Sequence, residues 1–444
     1  MMKNRILSLY KITFFILIMS ITNITKAEVN ISSYETKNGI KVLFSKSDNI
    51  PMIDIKITFD AGSNKDGNSK GLSMLTHSLL DEGTSKKKSE EIATIFESTG
   101  SIFNTSVNKD RSSISLRSLT QEKYLNPSLK MFLEILSDAY FPDNEVSLQK
   151  KRTVSTIIED QSDPSEIASN LFFKEIYGEH PYAYPSVGYA DSVKKISRKN
   201  IKDFYKKNIN AKNASIAIVS SLPKNKVISI AEKISKSLDK VSEEVAIKEL
   251  KNINKKQKYI FKNFNSEQAH IYVGLVSIKR GSENHLPLYV GNYIFGGSGF
   301  SARLMQELRV KRGLTYGVYS YIYPLKEEGP FIIGIETKAV QAQKSVKLIQ
   351  DMLIEFVKKG PTDNELKHAK NSIINGFPLR IDSNSDILNY LSMINYYNLP
   401  HDYLKTFTSK ISEITKNDII NAFKKEIDIN SLVTLVVGNA KAKK

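Results

Sequence analysis

The 444-residue sequence contains six histidines and no cysteine, so a transition metal held by this chain would depend on imidazole and carboxylate ligands. No two histidines stand four residues apart, the spacing that places two imidazoles on one face of a helix. The histidines are His77, His180, His270, His285, His368 and His401. This spacing leaves open only a metal site assembled from residues distant in the sequence, and a lone histidine such as His77 is more often a packed or surface residue.

His77 lies in a stretch that has the pattern of a short amphipathic helix. Ser69 is a candidate N-cap, leucines recur at helical spacing over residues 72–79, and Gly83 is a plausible stop. The stretch therefore predicts a helix that carries one imidazole.

A second stretch, residues 295–320, opens on a glycine-rich run. These glycines lack the Lys-Ser/Thr tail of a phosphate-binding loop, so we expect them to free the backbone for a turn near a partner or substrate. They are Gly296, Gly297 and Gly299.

Residues 68–84 resemble the start of the zinc-dependent processing peptidases, the insulinase and mitochondrial processing peptidase family. The family's helix reads Gly-x-Ala-His-x-x-Glu-His-x-x-x-x-Gly-Thr, and Gly71 and Gly83-Thr84 match its ends without a gap. In the family, the two histidines bind zinc and the glutamate acts as base on the metal-bound water. The corresponding residues here are Met74, His77 and Ser78. Methionine is a poor zinc ligand and serine is seldom one, so these positions are degenerate.

The family completes its zinc site with a later glutamate, which should fall near Ser155 or Thr156. No acidic residue stands between Arg152 and Ile158, and Glu159 would need a shift of about one helical turn. The resemblance thus implies no zinc and no other cofactor on this chain, unless the metal site has been relocated.

Residues 295–320 are similar to the family's Gly-Gly-x-x-Ser-Arg-Leu and Leu-Arg-x-x-x-Gly-Leu-x-Tyr segments. In the family the arginine helps to hold the peptide, and the tyrosine seven residues later helps to stabilise the oxyanion. These residues map to Arg309 and Tyr316. A guanidinium suits a peptide carbonyl, and a phenol hydroxyl suits an oxyanion.

Two simpler interpretations remain for this pair. Arg309 could form an ion pair with Glu307 or Glu327. Tyr316 could be an ordinary strand aromatic, because further tyrosines alternate along the same stretch at Tyr319, Tyr321 and Tyr323. Residues 177–182, followed by Gly188, are similar to a family segment in which the equivalent of His180 is structural.

The sequence also contains an internal repeat. An alternating strand pattern ends on Gly-Ser at Gly62 and again at Gly281, an offset of 219. A Pro-Asp-Asn-Glu turn at Pro142 returns at the same offset as Pro-Thr-Asp-Asn-Glu at Pro361, and residues 214–219 match residues 432–437. Each copy groups its strands, which predicts an α+β fold of two homologous repeats.

In this interpretation each repeat is a mixed or antiparallel sheet with helices on one face, as in the processing peptidases. We place a signal peptide at residues 1–27, the N-terminal repeat at 28–238, a Lys/Glu-rich linker at 239–258 and the C-terminal repeat at 259–444. The leader combines early cations, an apolar run over residues 12–21 and Ala27 at the cleavage site, which predicts export to the periplasm. An uncleaved N-terminal anchor is the alternative.

The formal net charge is +17, and the excess is mainly lysine. This is typical of a lysine-biased surface and allows peripheral contact with an anionic membrane. Export argues against a nucleic acid partner.

Some bacterial pairs in the family divide the zinc site and the Arg/Tyr pair between two subunits. The resemblance therefore implies a zinc-free subunit of a heterodimer, which binds peptide and lends Arg309 and Tyr316 to a zinc-bearing family subunit. The alternative is a peptide-binding or scaffold protein without enzymatic activity.

Overall fold

The computed structural model describes residues 29–48, 50–239 and 256–442. The predicted signal peptide and most of the predicted linker, residues 240–255, lie outside the described residues.

The first sheet has six strands. In chain order they are β1 (Ile31–Glu35), β2 (Lys41–Lys46), β3 (Met52–Phe59), β4 (Ile102–Val107), β5 (Ser112–Leu119) and β6 (Ala214–Ser220). They lie in the order β1-β2-β6-β3-β5-β4. β2 and β6 are parallel, and all other neighbours are antiparallel.

The second sheet has five strands: β7 (Lys258–Asn263), β8 (Gln268–Val276), β9 (Thr315–Ile322), β10 (Pro330–Lys338) and β11 (Val433–Gly438). Their order, β7-β11-β8-β10-β9, repeats that of β2-β6-β3-β5-β4. The single parallel pair, β7 with β11, falls at the equivalent place. The predicted fold of two homologous α+β repeats is confirmed.

The described residues form eight α-helices in the first repeat and six in the second. The first repeat has α1 (Leu72–His77), α2 (Ser89–Ser98), α3 (Glu122–Asp138), α4 (Asp143–Asp160), α5 (Pro164–Tyr177), α6 (Ala190–Lys195), α7 (Arg198–Asn208) and α8 (Lys224–Ser237). The second has α9 (His285–Asn292), α10 (Ala342–Lys359), α11 (Asp363–Gly376), α12 (Asn384–Tyr396), α13 (Tyr403–Glu413) and α14 (Lys416–Glu426).

The turn predicted at Pro361 illustrates how the sequence sets these boundaries. α10 ends at Lys359 and is followed by Gly360, whose φ of +67° favours glycine. α11 begins at Asp363, and the hydroxyl of its N-cap residue Thr362 accepts a hydrogen bond from the backbone N–H of Glu365. The carboxylate of Glu365 in turn accepts from the Thr362 backbone N–H, which completes a capping box.

The two sheets exchange one helix each. The remaining helices of a repeat lie on one face of its own sheet, as predicted, some against the strands and others against neighbouring helices, and form its main apolar core. α5 of the first repeat instead packs on β8 and β11 of the second sheet, and α12 of the second repeat packs on β3 and β6 of the first. Because α5 and α12 are equivalent in the repeat, this exchange is reciprocal and ties the two repeats together.

A buried polar cluster around Asp110 completes the contact between the repeats. Its carboxylate accepts hydrogen bonds from the hydroxyls of Tyr182 and Tyr397, and from the backbone N–H of Lys326 at 2.8 Å. His180 lies beside this cluster and is buried against the Tyr182 ring. Its Nδ1 accepts a hydrogen bond from the backbone N–H of Tyr182. This placement agrees with a structural role for His180.

Among the helices of the described residues, none combines the length and the apolar character that a membrane crossing requires.

Candidate functional site

The degenerate zinc positions lie on α1 and at its end. Met74 and Ser78 are partly exposed on one side of the helix, whereas His77 is buried, with about 1% of its surface accessible. His77 Nδ1 lies 2.8 Å from the Ser73 carbonyl oxygen. Since a carbonyl only accepts, Nδ1 carries the proton. Nε2 is buried and has no hydrogen-bond partner in the described part of the chain.

This arrangement does not fit zinc. Ser78 donates its hydroxyl to the Leu75 carbonyl oxygen at 3.0 Å, and Ser155, Thr156 and Glu159 are exposed on α4. Across residues 29–48, 50–239 and 256–442, no three side chains of His, Asp or Glu come together as a metal site would require. Met74 and Ser78 thus lie partly exposed on one side of the helix and its end, but neither supplies a zinc ligand.

Burial lowers the pKa of His77 to about 4, and the hydrogen bond with Ser73 opposes this shift only in part. Between pH 4 and 6.5 the unfolded chain therefore binds a proton at this histidine that the folded chain does not. The contribution of neutral His77 to stability is present above pH 6.5 and lost as the pH falls towards 4.

Substitution of His77 with leucine should remove this acid sensitivity. From pH 7 to pH 4, we expect the wild type to lose about 3 kcal/mol more free energy of unfolding than His77→Leu, as measured by urea denaturation. Substitution of the exposed His368 with leucine is the matched control and should behave as the wild type. Equal pH dependence of wild type and His77→Leu would show that His77 is not buried as described.

Tyr316 lies at an irregularity of β9, which is an edge strand of the second sheet. Glu336 of β10 pairs with Gly317 and the next residue pairs with Thr315, so Tyr316 is the extra residue of a β-bulge. Its side chain is 85% exposed, and its hydroxyl makes no hydrogen bond within the described residues. The phenol is therefore presented to the outside of the sheet.

Arg309 is held beside Tyr316. Its Nη1 donates to the Tyr316 carbonyl oxygen at 2.6 Å, and its guanidinium lies 4.6 Å from the ring centroid of Phe300. Neither carboxylate that could have paired with Arg309 does so. Glu307 pairs with Lys311 and Arg312, and Glu327 pairs with Lys279. Arg309 thus retains N–H groups that can meet a carbonyl from outside.

Both residues border a cavity of about 1000 Å³ on the α5 side of the second sheet. Its floor includes His270 and Tyr272 of β8 and Glu336 of β10, and Ser165 from the first turn of α5 lies at its margin. The sequence-predicted Arg/Tyr pair is thus brought together at a concave surface with polar and aromatic walls.

The three glycines of the predicted turn do not border this cavity. Gly296 is buried so closely against β9 that a Cβ there would lie 2.8 Å from the Ser320 backbone nitrogen. Gly297 and Gly299 are exposed, and Gly299 has a φ of +63°. The glycines therefore shape the turn that presents Phe300 to Arg309.

The sequence interpretation overlooked Phe300 and Glu336. Phe300 stands within the matched 295–320 segment and is 60% exposed, an unusual state for phenylalanine that only the structure reveals. Glu336 is brought to the cavity by strand register, which its sequence neighbours do not indicate.

Comparisons with known proteins agree with this architecture. The profile of the insulinase family, peptidase family M16, matches residues 41–188, and the profile of the peptidase M16 inactive domain matches residues 195–373. A peptidase M16 inactive-domain crystal structure from Pseudomonas fluorescens shares 34% identity with a TM-score of 0.89, covering 93% of this chain and 99% of that one.

The chain belongs to peptidase family M16. The resemblance noted in the sequence is confirmed, and within M16 this chain lacks the His-x-x-Glu-His motif.

Two further M16 relatives are informative. The "non-peptidase homolog YmxG" of Helicobacter pylori is 26% identical over 411 residues, covering 91% of this chain and 93% of the relative. The "uncharacterized zinc protease YmxG" of Bacillus subtilis is 26% identical over 366 residues, covering 80% and 85%. The names of these two relatives thus differ on whether they are peptidases.

Proposed function

We propose that this chain is the zinc-free subunit of a periplasmic heterodimeric M16 peptidase. The observation that carries the proposal is an asymmetry between the repeats. The first repeat keeps the helix of a zinc site without its ligands, whereas the second presents Arg309 and an exposed Tyr316 at an open cavity.

The chain's own residues have defined tasks in this proposal. Arg309 donates to a carbonyl of an extended peptide, and Phe300 keeps its guanidinium in place. The Tyr316 hydroxyl donates to the oxygen that gains charge when the partner's site attacks the peptide. Zinc belongs to the partner subunit, so no step is assigned to metal on this chain.

Isolation of the tagged protein from its native cell envelope tests the proposal. We expect an M16 subunit with an intact His-x-x-Glu-His motif to copurify in a 1:1 ratio, as measured by quantitative mass spectrometry. The partner should persist after the basic protein is washed with high salt, because a nonspecific charge contact would be screened. Recovery of the chain with no such subunit would contradict the heterodimer.

The alternative function is a peptide-binding or scaffold protein without enzymatic activity. The name of the Helicobacter pylori relative, a non-peptidase homolog, favours it. Copurification of the chain with unrelated envelope proteins in place of a zinc-bearing subunit would support this alternative.

The periplasmic location is part of the proposal and rests on the leader sequence and on the absence of cysteine from the chain. The net charge of +17, which is +13 without the four cations of the predicted leader, supports a peripheral contact with anionic membrane surfaces. Release of the protein by osmotic shock in low salt would contradict that contact while leaving the proposed location intact.

A further inference from the structure

We infer that Glu336 anchors a subsite for a basic side chain, lysine or arginine, of a peptide bound in the cavity. This inference rests on the proposed peptide-binding function and adds to it a substrate class.

A row of three residues crosses the sheet at this point. Glu336 of β10 stands opposite Gly317 of β9 and opposite His270 of β8. Directly opposed residues carry their side chains on the same face. The Glu336 side chain is 57% exposed, and its Oε1 lies 3.5 Å from His270 Nδ1. The row thus places one carboxylate at the cavity floor.

Gly317 opens the edge strand in front of this carboxylate. A Cβ built on Gly317 would meet no atom within 4 Å, so the space beside Glu336 is free. Because β9 is the outermost strand, a side chain from a peptide lying along the edge reaches Glu336 through this gap.

Aromatic rings wall the gap. The next row on the same face consists of Tyr319, Gly334 and Tyr272. The Tyr319 ring covers Gly334, where any Cβ would collide with it, and Tyr272 packs against Phe172 of α5 with ring centroids 5.6 Å apart. A carboxylate beside phenol rings is a favourable environment for an ammonium or guanidinium group.

The first repeat shows an ion pair at the equivalent place. There Asp54 of β3 stands opposite Arg117 of β5, as His270 stands opposite Glu336. Arg117 donates through Nε to Asp54 at 2.5 Å and through Nη2 to Ser385 in the first turn of α12 at 2.7 Å. The first repeat therefore fills this position with its own guanidinium.

The second repeat leaves the same position open. The cavity at Arg117 measures about 140 Å³, compared with about 1000 Å³ at Glu336. In the first repeat, Ser385 of α12 accepts a hydrogen bond from Arg117. In the second, Ser165 at the same place in α5 borders the open cavity instead. Among the ion pairs of the described residues, Glu336 faces His270 but no lysine or arginine, so this carboxylate is free to meet a cation from outside the chain.

Three cations also border the cavity and define the competing outcome. Arg309 is directed to the Tyr316 carbonyl and Phe300, whereas Lys338 and Lys441 lie at the margin. If these cations dominated, the cavity would prefer an acidic side chain.

The test uses the full chain and a set of fluorescent Ala/Ser dodecapeptides in which one residue is varied. Lysine, norleucine or glutamate occupies each position in turn, and binding is measured by fluorescence anisotropy. We expect the lysine peptide to bind about tenfold more tightly than the norleucine peptide at one position. Glu336→Gln should abolish this difference, whereas Asp351→Asn, which neutralises an exposed carboxylate of α10 that does not border the cavity, should preserve it.

A second variant, Gly317→Val, places a side chain in the gap, where a Cβ meets no atom within 4 Å, and should also remove the lysine preference. Equal binding of lysine and norleucine, a preference for glutamate, absence of peptide binding, or a lysine preference that survives Glu336→Gln would each overturn the inference. Failure of the proposed peptidase role is seen separately, as turnover that does not depend on Tyr316.

Discussion

Tyr316→Phe should lower the kcat of the reconstituted heterodimer about 100-fold, since loss of one donor to a developing oxyanion has an effect of that order. The substitution removes only the hydroxyl, and that hydroxyl makes no hydrogen bond within the described residues. The fold and the bulge that positions the ring should therefore persist. The measurement is the steady-state cleavage of a peptide at saturating concentration, with assembly checked by size-exclusion chromatography.

Tyr321→Phe provides a matched control. Tyr321 is exposed on the same strand but does not border the cavity. We expect its kcat to stay within about twofold of the wild type, because surface substitutions away from a functional site have small effects. Equal turnover of Tyr316→Phe and wild type would exclude an oxyanion role and favour the scaffold alternative.

Asp110→Ala should destabilise the protein by about 3–5 kcal/mol. The carboxylate accepts from the Tyr182 and Tyr397 hydroxyls and from the Lys326 N–H, and the residue is fully buried. Its removal leaves buried donors without an acceptor, and each unsatisfied group costs about 1–3 kcal/mol. These donors lie on both repeats, so the substitution should destabilise the whole fold. We expect a correspondingly lower free energy of unfolding, as measured by urea denaturation.

Asp351→Ala is the control for this prediction. Asp351 pairs with Lys347 on the exposed face of α10, and such a surface pair contributes about 0–1 kcal/mol. Similar losses for the two variants would show that the cluster around Asp110 does not hold the repeats together.

The repeat architecture could be predicted because strand patterns and turn residues return at a constant offset. Pro142 and Pro361 mark equivalent helix boundaries, and the structure places them between α3 and α4 and between α10 and α11. The exchange of α5 and α12 could not be predicted in this way. The amphipathic pattern of a helix shows that one face is buried, but it does not identify the sheet that buries it.

The site was predictable to the extent that chemistry depends on residue type. Met74 and Ser78 reveal the missing ligands in the sequence, but the burial of His77 depends on how α1 packs. The seven-residue spacing identified Arg309 and Tyr316, although the bulge that exposes Tyr316 is a property of its pairing with β10. The row of Glu336 and His270 joins residues 66 positions apart through strand register, which short-range patterns do not encode.

The division of labour between two subunits is the central claim, and zinc content measured together with peptide cleavage tests it most directly. We expect the purified chain to contain no stoichiometric zinc and to cleave no peptide. Its complex with the zinc-bearing M16 subunit should contain one zinc ion per heterodimer and cleave peptides. Stoichiometric zinc in the isolated chain together with cleavage by that chain alone would contradict the claim and would indicate a relocated metal site.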